Sequence, residues 1–269
     1  MLREAVSYLL TPCSPAARSL GYLYEALALQ ARAARCAAHW SGHIANCHEA
    51  IREAMAACPG RTSALVCGSG LLLEAPMQAL LAGFSRVDCL DIVHLRGVKK
   101  RYPQRTVFIE ADLTGVAGPI AAARGKTPFD PGSPPPVPAL GDEYDLVVSC
   151  NLASQLAVLP VRALCKRGLY SQEQLDGFAR ALVLTHLRWL AALPGVVCLI
   201  TDTVRQRQSP GGETETEDAL WGVGLKNTTR QWWWDIAPAP ELGRNLSQRN
   251  RMCAVAVFTQ ENMSDGAGT

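Results

Sequence analysis

The sequence predicts a mostly parallel, doubly wound α/β sheet with a C-terminal antiparallel hairpin, preceded by N-terminal helices. Short apolar runs alternate with helical segments from residue 64 to residue 201, which is the order of a parallel sheet with helices on both faces. The first run ends in a Gly-x-Gly turn, and the second ends in a carboxylate. Hydrophobic residues make up 48% of the 269 residues, so the chain can bury a large core.

Helices are expected before the first strand. Residues 15–57 are alanine-rich, with aromatic residues and leucines at helical spacing. Pro15 suits a first helical turn and Cys58-Pro59-Gly60 is a stop, so one long helix or two helices are predicted. The chain then divides into a helical lid (1–59), a sheet domain (60–260) and a disordered tail (261–269).

The strands follow in chain order. Five are predicted for the parallel sheet and two for the terminal hairpin: 64–67, 87–90, 106–110, 144–149, 196–201, 231–236 and 252–259. A helix is expected over 71–82 and further helical segments across 152–192. Six prolines between 128 and 138 make 115–141 a surface excursion, because proline suits neither inner strands nor helix interiors. Residues 205–217 are predicted to form a mobile loop.

Composition excludes several classes. A formal net charge of +2 gives little attraction for nucleic acid. The sequence lacks a signal-peptide pattern and an apolar run of membrane-spanning length, so a soluble, cytoplasmic protein is expected. The ten cysteines are scattered, which indicates reduced thiols and no disulfide framework. The oligomeric state stays open.

The glycine turn and the acid after the second strand indicate a nucleoside-bearing cofactor. Glycines at Gly68 and Gly70 allow a ligand to approach the backbone closely. Asp91 follows the next strand, about one βα step later, where its carboxylate can accept hydrogen bonds from two ribose hydroxyls.

On these residues the chain resembles the class I S-adenosylmethionine-dependent methyltransferase superfamily, which has a Rossmann-like fold. Residues 66–70 are similar to its glycine-rich first motif, 110–113 to its third motif and 144–151 to its fourth. The resemblance implies methyl transfer from S-adenosylmethionine to a small-molecule or protein acceptor. It also implies cofactor contacts at Gly68, Ser69, Gly70, Glu74, Asp91, Ile92, Asp112, Leu113 and Asn151.

The chain departs from that superfamily at the first strand, which is wholly apolar and lacks the usual acid. Glu74, expected just inside the next helix, either substitutes for that acid or complements the positive helix N-terminus. A methyltransferase-like binding module without methyl transfer is therefore an alternative. A nicotinamide-dependent oxidoreductase is a third, disfavoured because Leu73 occupies the third glycine position of the pyrophosphate fingerprint.

Two residues are candidates for the chemistry. Asn151 lies at the end of the fourth strand, where it either faces the acceptor or caps the following helix. His43, on the N-terminal helix near Trp40, is either an acceptor-pocket base or a core histidine with satisfied hydrogen bonds.

Two further patterns stand out. Cys36, His39, His43 and Cys47 share one helical face but extend over about 16 Å, too far for one ion, so no metal is predicted. In Trp232-Trp233-Trp234 the indoles must point to both sides of a strand, so one of them lines a pocket or partner surface, or all serve edge-strand packing.

Overall fold

The structure is a computed structural model that describes residues 7–123, 128–133, 135–138, 143–209 and 211–265. Its helices are α1 (Pro15–Leu20), α2 (Tyr22–Arg35), α3 (Ala37–Ala57), α4 (Met77–Gly83), α5 (Arg96–Arg101), α6 (Ala117–Ala122), α7 (Val158–Cys165) and α8 (Gln172–Ala191). Its strands are β1 (Ser63–Cys67), β2 (Arg86–Asp91), β3 (Thr106–Glu110), β4 (Leu146–Cys150), β5 (Val196–Gln208), β6 (Thr214–Asp218), β7 (Val223–Leu225), β8 (Arg230–Ala237), β9 (Ser247–Val255) and β10 (Met263–Asp265).

The main sheet has the strand order β3-β2-β1-β4-β5-β9-β8, with β6 paired to β5 on the side of β4. Strands β1 to β5 are parallel, whereas β9 runs antiparallel to β5 and β8 antiparallel to β9. The predicted fold class is confirmed, including the antiparallel hairpin near the chain end. The strand order reverses between β1 and β4, which is where open α/β sheets bind their ligands.

Both faces of the sheet are buried at β1 and β4, as the unbroken apolar runs of these two strands require. Val66 and Val148 face the core that contains α3, whereas Leu65 and Val147 face the core that contains α8. Because β1 and β4 are covered on both sides, their carboxyl ends are held in fixed positions.

Residues 15–57 form three helices, and not the one or two predicted, and residues 7–10 are helical as well. Ser14 caps α1 by accepting a hydrogen bond from the Ala17 N–H, with Pro15 in the first turn as expected. Gly21 then adopts φ 94°, which ends α1 and lets α2 start in a new direction. The predicted stop at residues 58–60 is confirmed, because α3 ends at Ala57.

The helix after the glycine turn begins six residues later than predicted. It spans Met77–Gly83, while residues 71–75 form turns in which Leu72 has φ 56°. Pro76 explains the error, because proline in a helix interior clashes with the carbonyl four residues earlier. Glu74 therefore lies in a loop, and the expectation that it complements a helix N-terminus is wrong.

The expected mobile loop at 205–217 is wrong as well. Strand β5 continues to Gln208, and β6 pairs with it antiparallel, so only residues 209–213 connect them. The polar residues of this segment belong to two solvent-exposed strands. Such strands need no apolar residues, because cross-strand pairs of opposite charge, such as Arg205 opposite Glu217, stabilise the sheet.

The proline-rich stretch and the predicted tail both contain regular structure. The proline-rich stretch contains α6, and its residues 128–133 and 135–138 have no regular structure; positions 124–127, 134 and 139–142 lie outside the described residues. Within the predicted tail, β10 pairs with β7, and residues 266–269 lie outside the description. Over the described chain, no helix is long and apolar enough to cross a membrane.

Candidate functional site

A cavity of about 390 Å³ lies at the switch point between β1 and β4. The loops after β1, β2, β3 and β4 form its floor, and α2 and α7 form one wall. The opposite wall comes from the upper ends of β5, β8 and β9. Of the residues predicted to contact a cofactor, all but Ser69 line this cavity.

The glycine turn packs directly against the end of β4. Gly68 has φ 71°, and a Cβ atom there would lie 2.7 Å from the Cys150 carbonyl oxygen. Its N–H and that of Ser69 both donate to the Leu90 carbonyl at the end of β2. Only glycine fits at Gly68, and the turn exposes backbone to the cavity as the sequence predicts.

Ser69 has a different role from the one expected of it. Its side chain is buried and shares a 2.8 Å hydrogen bond with His94 Nε2. Burial lowers the pKa of His94 to about 4, so this imidazole is neutral near pH 7. The pair fixes the turn to the loop after β2 and does not reach the cavity wall.

Asp91 holds the turn from the other side. Its Oδ2 accepts a 2.8 Å hydrogen bond from the Gly70 N–H, and Oδ1 accepts one of 2.7 Å from the Ile92 N–H. Burial raises the pKa of Asp91, and the N–H groups of Gly70, Ile92 and Val93 oppose that rise. A carboxylate has about four acceptor sites, so both oxygens retain capacity for a ligand.

The end of β3 supplies the next part of the floor. Asp112 Oδ1 accepts from the Thr114 N–H at 2.9 Å, and its Oδ2 accepts from the Ala117 N–H at 2.8 Å. These bonds shape the loop that leads into α6 and hold Asp112 and the nearly buried Leu113 at the cavity.

Helix α2 covers this floor; a helical lid was predicted here, but sequence reasoning did not identify Tyr22 as part of it. Tyr22 lines the cavity, and its hydroxyl pKa is raised by burial and further by the charges of Asp112 and Asp91. The hydroxyl therefore stays protonated and is available as a donor. The predicted position of helices ahead of the sheet was the one signal for such a cover.

The two residues predicted for catalysis are in contact, although 108 positions separate them. The Asn151 amide lies 3.2 Å from Nε2 of His43. His43 is 2% exposed and stacks on Trp234 at a centroid distance of 3.8 Å. Asn151 lines the cavity, whereas His43 lies behind it.

Trp232 determines which nitrogen of His43 carries the proton. Its indole Nε1–H lies 3.1 Å from Nδ1 of His43, and an indole can only donate. Nδ1 must therefore accept, and the ring is neutral with its proton on Nε2. The Nε2–H of His43 needs an acceptor. Oδ1 of Asn151 is buried without a hydrogen-bond partner, and a 180° rotation of the amide places this oxygen next to the Nε2–H.

Asn151 does not cap the following helix, which was the structural alternative for this residue. The 3₁₀ turn at Ala153–Gln155 has no side-chain cap, and the Asn151 side chain is used by His43. Asn151 also has φ 51°, in the left-handed region that asparagine tolerates better than most residues. This geometry turns the chain away from β4 at the edge of the cavity.

Helix α3 also anchors the loop between Gly70 and α4. His48 donates its Nε2–H to the Leu73 carbonyl at 2.9 Å. Glu74 lines the cavity, and its Oε1 lies 3.8 Å from His43 Nε2.

Among the residues that the structure describes, no group of three or more potential ligands could hold a metal ion.

Sequence reasoning missed two arginines of the wall opposite α2, Arg205 and Arg207, because they lie in the segment expected to be a loop. Asp202 is buried, and its carboxylate accepts from Arg205 Nε at 2.9 Å, Asn250 Nδ2 at 3.1 Å and the Ser154 hydroxyl. Arg207 and Gln248 continue this wall along β5 and β9. Asp202 therefore organises the wall from within β5.

No protein-family model and no curated protein matches the sequence. Among solved structures, the DhpI complex with S-adenosylhomocysteine is 14% identical, with 87% of this chain and 93% of that chain covered and a TM-score of 0.39. A Burkholderia thailandensis 1,6-didemethyltoxoflavin N1-methyltransferase is 13% identical over 86% and 89%, with a TM-score of 0.30. A Leishmania major S-adenosylmethionine-dependent methyltransferase is 15% identical over 79% and 74%, with a TM-score of 0.32.

Proposed function

We propose that this protein transfers a methyl group from S-adenosylmethionine to a small-molecule or protein acceptor. The observation that carries the proposal is the Asp91 carboxylate, held by the Gly70 and Ile92 N–H groups at the carboxyl end of β2 with acceptor capacity to spare. Its position beside a Gly-x-Gly turn suits the ribose of a nucleoside cofactor. The bound cofactor would supply an electrophilic methyl group on a sulfonium sulfur.

The residues around Asp91 have complementary roles in this proposal. Gly68 and Gly70 permit close approach to the backbone, and Asp112 and Leu113 flank the nucleoside base. Tyr22 on α2 covers the ligand, so that residues 1–59 act as a lid and exclude water. Ile92 lines the cavity next to the ribose position, and Glu74 is the acid available in place of the one missing from β1.

Alignment, and not proton abstraction, is the main contribution that this site offers to catalysis. In the described arrangement, His43 has its proton on Nε2 and its other nitrogen occupied by Trp232, so it has no free lone pair for a substrate proton. We infer that His43 is a positioning residue that orients the Asn151 amide at the cavity edge. Asn151 is then the polar group nearest the acceptor at the end of β4.

Calorimetry with Asp91→Asn tests the proposal. S-adenosylmethionine and S-adenosylhomocysteine should bind the native protein, and the variant should bind them about 10- to 100-fold more weakly because a charged acceptor is lost. Asp145→Asn is the control: its Oδ2 also accepts two backbone N–H groups, from Thr62 and Ser63, but at the amino ends of β1 and β4, away from the cavity. Equal losses in both variants, or no heat with the native protein, would refute the assignment.

A binding module without methyl transfer is the second candidate, favoured by one observation. Strand β1 is wholly buried and apolar, so the acid that the superfamily usually carries there is missing. The two functions separate by turnover: ligand-induced stabilisation with no methylated product over a broad acceptor panel would favour the binding module.

A nicotinamide dinucleotide fits less well. A pyrophosphate site needs a helix N-terminus close behind the glycine turn, and α4 begins only at Met77. NAD(H) and NADP(H) should therefore give no thermal shift.

A further inference from the structure

The charges that line the cavity are separated by sign. Three carboxylates lie on the side of the glycine turn, β2 and β3: Glu74, Asp91 and Asp112. Away from them, the walls carry four arginines and two acids: Arg32, Arg162, Arg205, Arg207, Glu25 and Asp202. A cationic methyl donor suits the first side, and an anionic group suits the second.

Two of the four arginines are neutralised within the wall. Arg162 NH1 lies 2.6 Å from Glu25 Oε1, and Arg205 Nε lies 2.9 Å from Asp202 Oδ2. Glu25 and Asp202 are the two acids of these walls, and both are used in these pairs. No other carboxylate that lines the cavity therefore balances the charges of Arg32 and Arg207.

Arg32 has only a remote partner. The nearest carboxylate oxygen lies 3.9 Å away on Glu241, which already receives two 2.7 Å hydrogen bonds from Arg35. The Nε atom of Arg32 is buried and has no hydrogen-bond partner. A buried donor without a partner is costly, and a rotation of the guanidinium toward a ligand oxygen in the cavity would satisfy it.

Arg207 is the second arginine of the cavity that lacks a close carboxylate. It lies on β5 across the cavity, donates from Nε to Gln248 Oε1 at 3.2 Å, and is 4.0 Å from the nearest oxygen of Glu217. Glu217 also faces Arg205 at 3.5 Å, so its charge is shared between two guanidinium groups.

We infer that the methyl acceptor carries a carboxylate or phosphate group bound by Arg32, with Arg207 supplying the second positive charge. Guanidinium groups present several N–H donors in a plane that matches the oxygens of either anion. The same walls also carry apolar residues, including Leu29, Leu159 and Ile236, which suit an apolar body next to the anion. This inference rests on the proposed function, since it identifies the acceptor's chemistry at the same site.

Ligand-detected NMR on the protein saturated with S-adenosylhomocysteine tests this inference with three probes: benzoate, phenyl phosphate and benzamide. At least one of the two anions should bind and the neutral amide should not. Arg32→Gln should weaken anion binding about tenfold or more, while Arg32→Lys keeps the charge and should lose less. Arg249→Gln is the control, because it removes a β9 arginine that stacks on Trp233 outside the cavity.

The preference between benzoate and phenyl phosphate assigns the anion as a carboxylate or a phosphate. Equal binding of benzamide, or unchanged anion binding in both Arg32 variants, would overturn the inference. So would loss of S-adenosylhomocysteine affinity in Arg32→Gln with anion binding retained, because Arg32 would then hold the cofactor's own carboxylate. Failure of the native protein to bind S-adenosylhomocysteine would refute the proposed function instead, and the anion titration of the free protein would still report on Arg32.

Discussion

Replacing Trp232 by Phe removes the indole N–H that donates to Nδ1 of His43 and so keeps the ring proton on Nε2. The indole N–H donates to Nδ1 at 3.1 Å, and phenylalanine keeps an aromatic ring at this half-buried position without a donor. Nδ1 would then have only the Cys47 thiol, a weak donor 3.8 Å away, in place of the indole N–H. Either Nδ1 stays unsatisfied, or the proton moves from Nε2 to Nδ1 and the hydrogen bond to Asn151 must rearrange.

The expected cost follows from that missing bond. Leaving a buried acceptor unsatisfied lowers the free energy of unfolding by about 1–3 kcal/mol. Trp233→Phe is the matched control on the same strand, because Trp233 is 43% exposed and its ring faces Arg249 at 4.4 Å. Phenylalanine weakens that exposed cation–π contact without removing it, so the change should cost at most about 0.5–1 kcal/mol.

Urea denaturation measures the stability difference, and two-bond ¹⁵N–¹H correlation spectra identify the protonated ring nitrogen of His43. The native protein and Trp233→Phe should show the proton on Nε2, whereas Trp232→Phe should show exchange toward Nδ1. A native spectrum with the proton on Nδ1, or on both nitrogens at neutral pH, would refute the hydrogen-bond assignment. A merely structural role for Trp232 would change stability and leave the tautomer untouched.

Two further predictions concern stability. Burial lowers the pKa of His94 to about 4 and that of His186 to about 3, so below the unfolded value of about 6.5 only the unfolded chain gains these protons. The free energy of unfolding, measured by urea titration, should therefore fall by about 3–4 kcal/mol between pH 7 and pH 5. His186→Gln should remove about half of this pH dependence. A free energy that does not change with pH would contradict the lowered pKa values of the two histidines. Gly68→Ala should lower the free energy of unfolding by more than about 1–2 kcal/mol, because φ is positive there and the Cys150 carbonyl approaches closely. Gly97→Ala in α5 is the control in the same thermal unfolding experiment. Gly97 has open space around it, so this change should be neutral or stabilising by up to about 1 kcal/mol.

Local patterns in the sequence were sufficient for the parallel core. Strands β1, β2 and β4 are short buried runs bounded by glycine, proline or charge, whereas β3 is a partly exposed edge strand. Asp91 could be placed at a strand end for the same reason. The start of α4 was also decided locally, by Pro76, although the prediction overlooked it.

Only the tertiary structure brought distant side chains together. His43 meets Asn151 and Trp232 because α3 packs across the sheet near its β8 edge, and no local pattern encodes a contact over 189 positions. Arg32 is left without a close carboxylate because Arg35, one helical turn away, holds Glu241 from 206 positions distant. Strand and helix formation depend on near neighbours along the chain, whereas the protonation and charge of the cavity depend on which helix faces cover the sheet.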